Sequence, residues 1–170
     1  EGHELVVLNE CAKLDWSQIE PAIFGTLFER SLDPAKRSMA GAHYTGKADI
    51  LTLVEPVLMN PLRREWDEVK ARAEKLREKR GKLKGKEYQR QDKALRRLLE
   101  DFSHAISQVK VLDPACGSGN FLYVALNQLK ELEKEVLTFA VTCGHNFFRY
   151  VDPEQLYGID KDPYAVELAR

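Results

Sequence analysis

The sequence predicts an α/β fold with a partial parallel sheet, preceded by helices and a charged helical hairpin. Three observations support this prediction. A short β-branched run stops at a glycine-rich turn, a long amphipathic stretch follows that turn, and a second short strand-like run comes after it. Strand, helix and strand in this order form a βαβ unit, in which the two strands are parallel. The charged stretch lies before this unit.

The first elements are helical. Apolar residues recur at spacings of three and four over residues 15–29, which indicates one buried helical face. Small and polar residues over 37–49 predict a loop, and a second apolar stripe covers 50–58. Because a helix rarely continues past the residue before a proline, we predict that this second helix ends near Asn60-Pro61.

Charge separates the next segment from the remainder of the chain. Residues 63–104 hold 15 Lys or Arg and 9 Asp or Glu, which leaves 11 basic and 18 acidic residues elsewhere from totals of 26 and 27. Two apolar stripes separated by Gly81 and Gly85 predict a mostly solvated helical hairpin with its tip near residues 81–86. A basic arm on an acidic body is a candidate contact for a polyanion, and the alternative is an arm that only packs against the body.

The βαβ unit begins with residues 109–112, a strand that ends at Asp113-Pro114. A turn over 116–119 leads into an amphipathic helix from residue 120 to about residue 141, and residues 156–159 form the second strand. Asp162-Pro163 then supplies an N-cap and a first-turn proline for another helix. A parallel sheet in an α/β protein has both faces buried, and two strands are too few for such a sheet. We therefore expect this chain to be a fragment of a longer protein, or to depend on material that is missing from it.

The turn has the features of a ligand site. Gly117 and Gly119 lack a Cβ, so a ligand can approach the backbone closely and meet outward N–H groups. A dinucleotide-binding turn carries a third glycine and holds a pyrophosphate, whereas here the third glycine is replaced and Asp113 would repel a pyrophosphate. A carboxylate suits an ammonium group, so a nucleotide-like cofactor with an amino-acid moiety fits better; the alternative is a tight structural turn.

The stretch Leu112-Asp113-Pro114-Ala115-Cys116-Gly117-Ser118-Gly119-Asn120-Phe121-Leu122 resembles motif I of class I S-adenosylmethionine-dependent methyltransferases, in particular the N6-adenine DNA enzymes. This resemblance implies a Rossmann-like fold and S-adenosylmethionine as the cofactor. The residues that it implies as cofactor contacts in this motif are Asp113, Pro114, Ala115, Cys116, Gly117, Gly119, Asn120 and Phe121.

Two further segments resemble the same family. His43-Tyr44-Thr45 resembles the motif that closes over the methionine end of the cofactor, with the Thr45 hydroxyl as a donor to its carboxylate; Gly46 stands where relatives often have proline. Tyr157-Gly158-Ile159-Asp160 resembles motif II, which implies that Asp160 accepts from the two ribose hydroxyls and that Lys161 flanks the adenine.

The resemblance extends over almost the whole chain to the MmeI-like (type IIG/IIL) single-chain restriction-modification enzymes. The strings that carry it are Pro21-Ala22-Ile23-Phe24-Gly25, Gly41-Ala42-His43-Tyr44-Thr45 and Glu55-Pro56-Val57-Leu58. It implies a helical lead-in or connector at 1–35, a segment that closes over the cofactor at 36–62, the hairpin at 63–105 and a truncated first βαβ part of the cofactor domain at 106–170. It also implies double-stranded DNA as the partner of the full-length protein, and the cytoplasm of a bacterial or archaeal cell.

No residue is assigned to methyl transfer. Amine-methylating relatives use an (Asn/Asp/Ser)-Pro-Pro-(Tyr/Phe) motif, and the nearest strings, Asn60-Pro61-Leu62 and Asp162-Pro163-Tyr164, lack the second proline. We therefore expect no methyl transfer from these residues alone. The three cysteines lack zinc-ligand spacing, so we expect no metal site, and no apolar run reaches the length of a membrane span. Two alternatives are a methyltransferase of protein or RNA amines, and a non-catalytic helical interaction module.

Overall fold

The computed structural model describes residues 2–15, 23 and 45–170. It divides the chain into two compact units, residues 1–44 and 45–170. In the first unit, helix α1 spans Gly2–Ala12, within the predicted helical lead-in at 1–35. The helix predicted over 15–29 lies outside the described residues, apart from Asp15 and the helical Ile23.

The second unit is mostly helical and contains one small sheet. Its elements are α2 (Lys47–Val54), a π-helical turn (Glu55–Met59), α3 (Asn60–Gly81), α4 (Gly85–Ser107), β1 (Val111–Asp113), α5 (Asn120–Thr142), a 3₁₀ turn (Pro153–Gln155), β2 (Leu156–Gly158) and α6 (Pro163–Ala169). Among the described residues, no helix combines the length and the apolar character that a membrane crossing requires.

The prediction that the second helix ends near Asn60-Pro61 is wrong. α2 passes through the π-helical turn directly into α3. Pro56 and Pro61 each lack a backbone N–H, so a regular α-helical ladder would be interrupted twice within a few residues. The wider turn changes the hydrogen-bond register, since the N–H of Asn60 donates to the carbonyl of Glu55, five residues back. The helix therefore continues across both prolines.

α3 and α4 form the predicted hairpin, but its inner face is part of the core. Trp66 is 1% exposed; its ring stacks on Phe102 at 5.4 Å between centroids and meets the edge of Phe139 from α5 at 5.6 Å. The Trp66 indole N–H donates to Glu135 at 2.8 Å. The prediction of a mostly solvated arm is correct only for the outer face, because both apolar stripes pack between the two helices and against α5.

β1 and β2 are parallel, as predicted, with Val111 opposite Leu156 and Asp113 opposite Gly158. α5 connects the two strands. Because the strands are parallel and in this register, the residues after Asp113 and the residues after Gly158 leave the sheet at the same edge. The glycine-rich turn and Asp160 are therefore neighbours.

The segment between α5 and β2 is held by two buried polar side chains. Glu133, 2% exposed, accepts through Oε1 from the N–H groups of Tyr150 at 2.6 Å and Val151 at 3.0 Å. The Gln155 amide donates to the carbonyls of Ile106 and Val109 at 3.0 and 2.9 Å. These bonds satisfy backbone groups that a buried loop would otherwise leave unpaired, so they hold the segment against the core.

Candidate functional site

The turn after β1 depends on two glycines. Gly117 has φ of 51° and Gly119 has φ of 84°, a region of backbone conformation that side chains disfavour. The Gly119 N–H donates to the Cys116 carbonyl at 2.8 Å, and α5 begins at the next residue. A Cβ on Gly119 would also lie 3.1 Å from the Cβ of Ala169 in α6. The turn thus brings the N-terminus of α5 to the carboxyl edge of the sheet.

Backbone hydrogen bonds join this turn to the end of β2. The Ile159 N–H donates to the Asp113 carbonyl at 2.9 Å, and the Cys116 N–H donates to the Ile159 carbonyl at 3.0 Å. The Asp113 carboxylate accepts from the Ala115 N–H at 3.0 Å, so it shapes the turn from within. Two of the predicted contact segments, which are far apart in sequence, are therefore joined at one edge of the sheet.

Asp160 lies where these segments meet. Its Oδ2 accepts from the Gly117 N–H at 2.9 Å, and its Oδ1 accepts from the Asp162 N–H at 2.9 Å. The bond from Asp162, aided by those from Gly117 and Lys161 and by the Lys161 charge, holds the pKa of Asp160 below its ordinary value despite some desolvation. A carboxylate oxygen accepts more than one hydrogen bond, so Asp160 is an ionised acceptor that is both oriented and able to receive hydroxyl donors.

Cys116 is buried beneath the turn. Burial, followed by the negative charges of Asp113 and Asp160, raises the pKa of its thiol, so it is protonated at neutral pH and unsuited to nucleophilic chemistry. The position of its sulfur explains why residue 158 is a glycine. A Cβ on Gly158 would lie 2.7 Å from Cys116 Sγ and 3.1 Å from Leu122 Cδ1. Glycine is thus required in β2 for close packing.

Asn120 joins the turn to the segment before α2. Its Nδ2 donates to the Thr45 carbonyl at 2.7 Å. Its Oδ1 is buried and has no hydrogen-bond partner among the described residues. The structure therefore places Thr45 next to the turn, although the predicted role of its hydroxyl stays a prediction. His43 and Tyr44 lie outside the described residues.

The other predicted contacts differ in their accessibility. Pro114, Ala115 and Lys161 are exposed, whereas Phe121 is partly buried and packs against the core. The first three residues are therefore more accessible to a ligand than Phe121. Within residues 2–15, 23 and 45–170, no group of three or more His, Cys, Asp or Glu side chains is arranged to hold a metal ion.

Known proteins resemble both the sequence and the structure. Residues 85–170 match the family described as MmeI, DNA-methyltransferase domain. The chain is 26% identical over 167 residues to DNA methyltransferase A of Bacillus subtilis (strain 168), which covers 96% of this chain and 16% of that protein. Over 76 residues, 43% of this chain and 6% of the relative, it is 32% identical to the putative type II restriction enzyme and methyltransferase RM.MjaORFECS2P of Methanocaldococcus jannaschii.

A solved structure agrees with these matches. The chain superposes with a TM-score of 0.65 and 33% identity on the type IIL restriction-modification enzyme MmeI, which was solved in complex with DNA. The match covers 92% of this chain and 18% of that one. The chain thus spans less than a fifth of the length of each of these relatives.

Proposed function

Because the chain belongs to the MmeI DNA-methyltransferase domain family, we propose that it supplies the S-adenosylmethionine-binding part of a DNA adenine-N6 methyltransferase. In this proposal, residues 106–170 are the first βαβ part of a Rossmann-like cofactor domain and residues 36–62 close over the cofactor. Residues 1–35 connect to the remainder of a restriction-modification enzyme. When bound, S-adenosylmethionine supplies an electrophilic methyl group on sulfur.

One observation carries the cofactor assignment: the ionised Asp160 is fixed against the N–H of Gly117 at 2.9 Å. This contact brings the turn and the end of β2 to one edge, where an adenosine ribose would receive two acceptor oxygens and the amino-acid moiety would lie over the turn. The buried, unpartnered Oδ1 of Asn120 also fits a ligand, since it lacks a donor in the described residues. These acceptor oxygens support the proposal, since the hydroxyls and ammonium of S-adenosylmethionine are hydrogen-bond donors.

The molecule that accepts the methyl group is proposed from the family alone. Double-stranded DNA is the proposed partner of the full-length protein, and the exocyclic N6 of adenine the proposed acceptor atom. No side chain of this chain is assigned to the positioning of that amine or to the methyl-transfer step. A protein or RNA amine as acceptor would require the same cofactor site, and no contact in the structure favours it.

Titration calorimetry with S-adenosylmethionine tests the proposal, with NAD as the control ligand. We expect saturable one-site binding of S-adenosylmethionine and none of NAD, because the turn lacks a third glycine and the negative charge of Asp113 would repel a pyrophosphate. A cooperative thermal transition establishes that the sample is folded. Folded protein that binds neither ligand would contradict the proposal and favour the interaction-module alternative.

The lowered pKa of Asp160 predicts how binding depends on pH. The carboxylate stays ionised down through the ordinary aspartate pKa of about 3.9, so its contribution to binding is complete above that value and is lost only as the pH falls through the lowered pKa. We expect the ratio of wild-type to Asp160→Asn association constants to stay constant from about pH 7.5 to about pH 5. A ratio that decreases across this range would show that Asp160 titrates too high for the assigned role.

A further inference from the structure

Four basic side chains form a stripe along α4. They are Lys86, Arg90, Lys93 and Arg97, spaced four, three and four residues apart, and all four residues are exposed. At 3.6 residues per turn this spacing keeps them within an arc of roughly 60°. We call this set the α4 basic stripe.

Among the acidic residues of α4, Asp92 lies off the stripe; it forms an ion pair with Arg80 of α3 and also faces the His145 ring nitrogen at 3.4 Å. Glu87 lies about 60° around the helix from Arg90, the nearest residue of the stripe. Glu100 and Asp101 adjoin the carboxyl end of the stripe, where Glu100 pairs with Arg96. Within the described part of the chain, no carboxylate lies at ion-pair distance from Lys86, Arg90 or Lys93, and Arg97 has only an exposed contact of 3.6 Å with Asp101. Lys86, Arg90 and Lys93 therefore present uncompensated positive charge, whereas Arg97 is paired at the carboxyl end of the stripe.

The stripe is also held in place. The opposite face of α4 is buried in the core through Leu95, Leu99, Phe102 and Ile106. Near the tip, Arg80 donates to Asp92 and to the Cys143 carbonyl at 3.0 Å, which ties both helices to the end of α5. The backbone that carries the stripe is therefore ordered before any partner binds, so binding costs little backbone entropy.

We propose that the α4 basic stripe contacts the phosphate backbone of duplex DNA, outside the cofactor site. The stripe spans roughly 16 Å of helix, and each strand of a duplex places one phosphate about every 3.4 Å along the duplex axis, so several phosphates lie within its reach. Tyr88, the aromatic residue in this part of α4, lies off the stripe, and its ring is contacted by Arg80 at 5.7 Å. Among the described residues of α4, the stripe therefore carries no aromatic ring on which bases could stack, which favours a duplex. This inference rests on the proposed function.

Fluorescence anisotropy with two duplexes of unrelated sequence, measured over a range of salt concentrations, tests the stripe. The variant is Lys86→Gln/Arg90→Gln/Lys93→Gln. Each lost phosphate contact lowers the slope of log K against log salt by about one, so we expect a slope smaller by about three and the same loss of affinity on both duplexes. The control removes the same charge elsewhere, by replacing Lys130, Lys134 and Arg149 with Gln.

The control residues lie beside Glu131 and Glu133 at a cavity on the flank of α5, so we expect an unchanged slope. Equal losses in the two variants would attribute binding to net charge and overturn the inference, as would an unaltered slope in the stripe variant. Tighter stripe-dependent binding to single-stranded RNA than to duplex DNA would also overturn it. If the chain binds S-adenosylmethionine but no duplex, only the inference about the stripe is overturned. If it binds duplex through the stripe but does not bind S-adenosylmethionine, only the proposed cofactor function is overturned.

Discussion

Asp160→Ala is expected to weaken S-adenosylmethionine binding by about a hundredfold or more. A hydrogen bond to a charged acceptor contributes about 1.5–3 kcal/mol, and the proposed role gives Asp160 two ribose hydroxyls, so at least about 3 kcal/mol is removed. Each 1.4 kcal/mol corresponds to about a tenfold change in affinity. Calorimetry on the variant measures the dissociation constant directly.

Two further variants separate ligand contact from local structure, because Asp160 also accepts from Gly117 and Asp162. Asp160→Asn keeps one oxygen acceptor, and we expect a loss of about tenfold, between the two extremes. Asp162→Asn removes the same charge nearby while asparagine still caps α6 at the Tyr164 N–H, so binding should stay within about twofold of wild type. Near-normal binding by folded Asp160→Ala would refute the ribose assignment.

Gly158→Ala is expected to lower the free energy of unfolding by about 1–3 kcal/mol, the range for overpacking a filled core. The new Cβ would lie 2.7 Å from Cys116 Sγ and 3.2 Å from Cys116 Cβ, so the residue below the glycine-rich turn has to move. Because Cys116 precedes Gly117, we also expect weaker cofactor binding. Urea denaturation measures the free energy of unfolding. A displaced turn would raise the dissociation constant for S-adenosylmethionine, which calorimetry measures.

The steric cause can be checked by a double-mutant cycle and a second glycine. Cys116→Ala removes the sulfur, so Gly158→Ala should cost less in that background than in the wild type. At Gly81, the last residue of α3, a Cβ meets no atom within 4 Å, and Gly81→Ala should leave stability unchanged or raise it by up to about 1 kcal/mol. Equal costs of Gly158→Ala in both backgrounds would show that the sulfur is not the obstacle.

Local chemistry allowed much of the chain to be predicted from its sequence. The strands, the turn, the crossover helix and the Asp162-Pro163 start of α6 each depend on neighbouring residues, and each is present in the structure. The resemblance to MmeI-like enzymes is confirmed, and so is an α/β chain with a parallel strand pair. All the assigned cofactor contacts, and the cofactor itself, stay predictions.

Contacts between distant residues decided what the sequence left open. The charged residues along α3 and α4 predicted a solvated hairpin. Whether its apolar residues are buried depends on the elements that pack against them, and Trp66 packs against Phe102 of α4 and Phe139 of α5. Pro61 predicted a helix end at residue 60, because proline usually interrupts an α-helix. That prediction did not include a π-helical turn, in which the Asn60 N–H donates to the Glu55 carbonyl.

The candidate site divides in the same way. The glycines of the turn and the carboxylate at the end of β2 could be predicted from the sequence, because glycine conformation and carboxylate charge are properties of single residues. The folded chain shows in addition that Asp160 accepts from Gly117, that Asn120 donates to Thr45 and that Gly158 leaves space for Cys116. These pairs are separated by many residues along the chain, and only parallel strand pairing and packing bring them within contact distance.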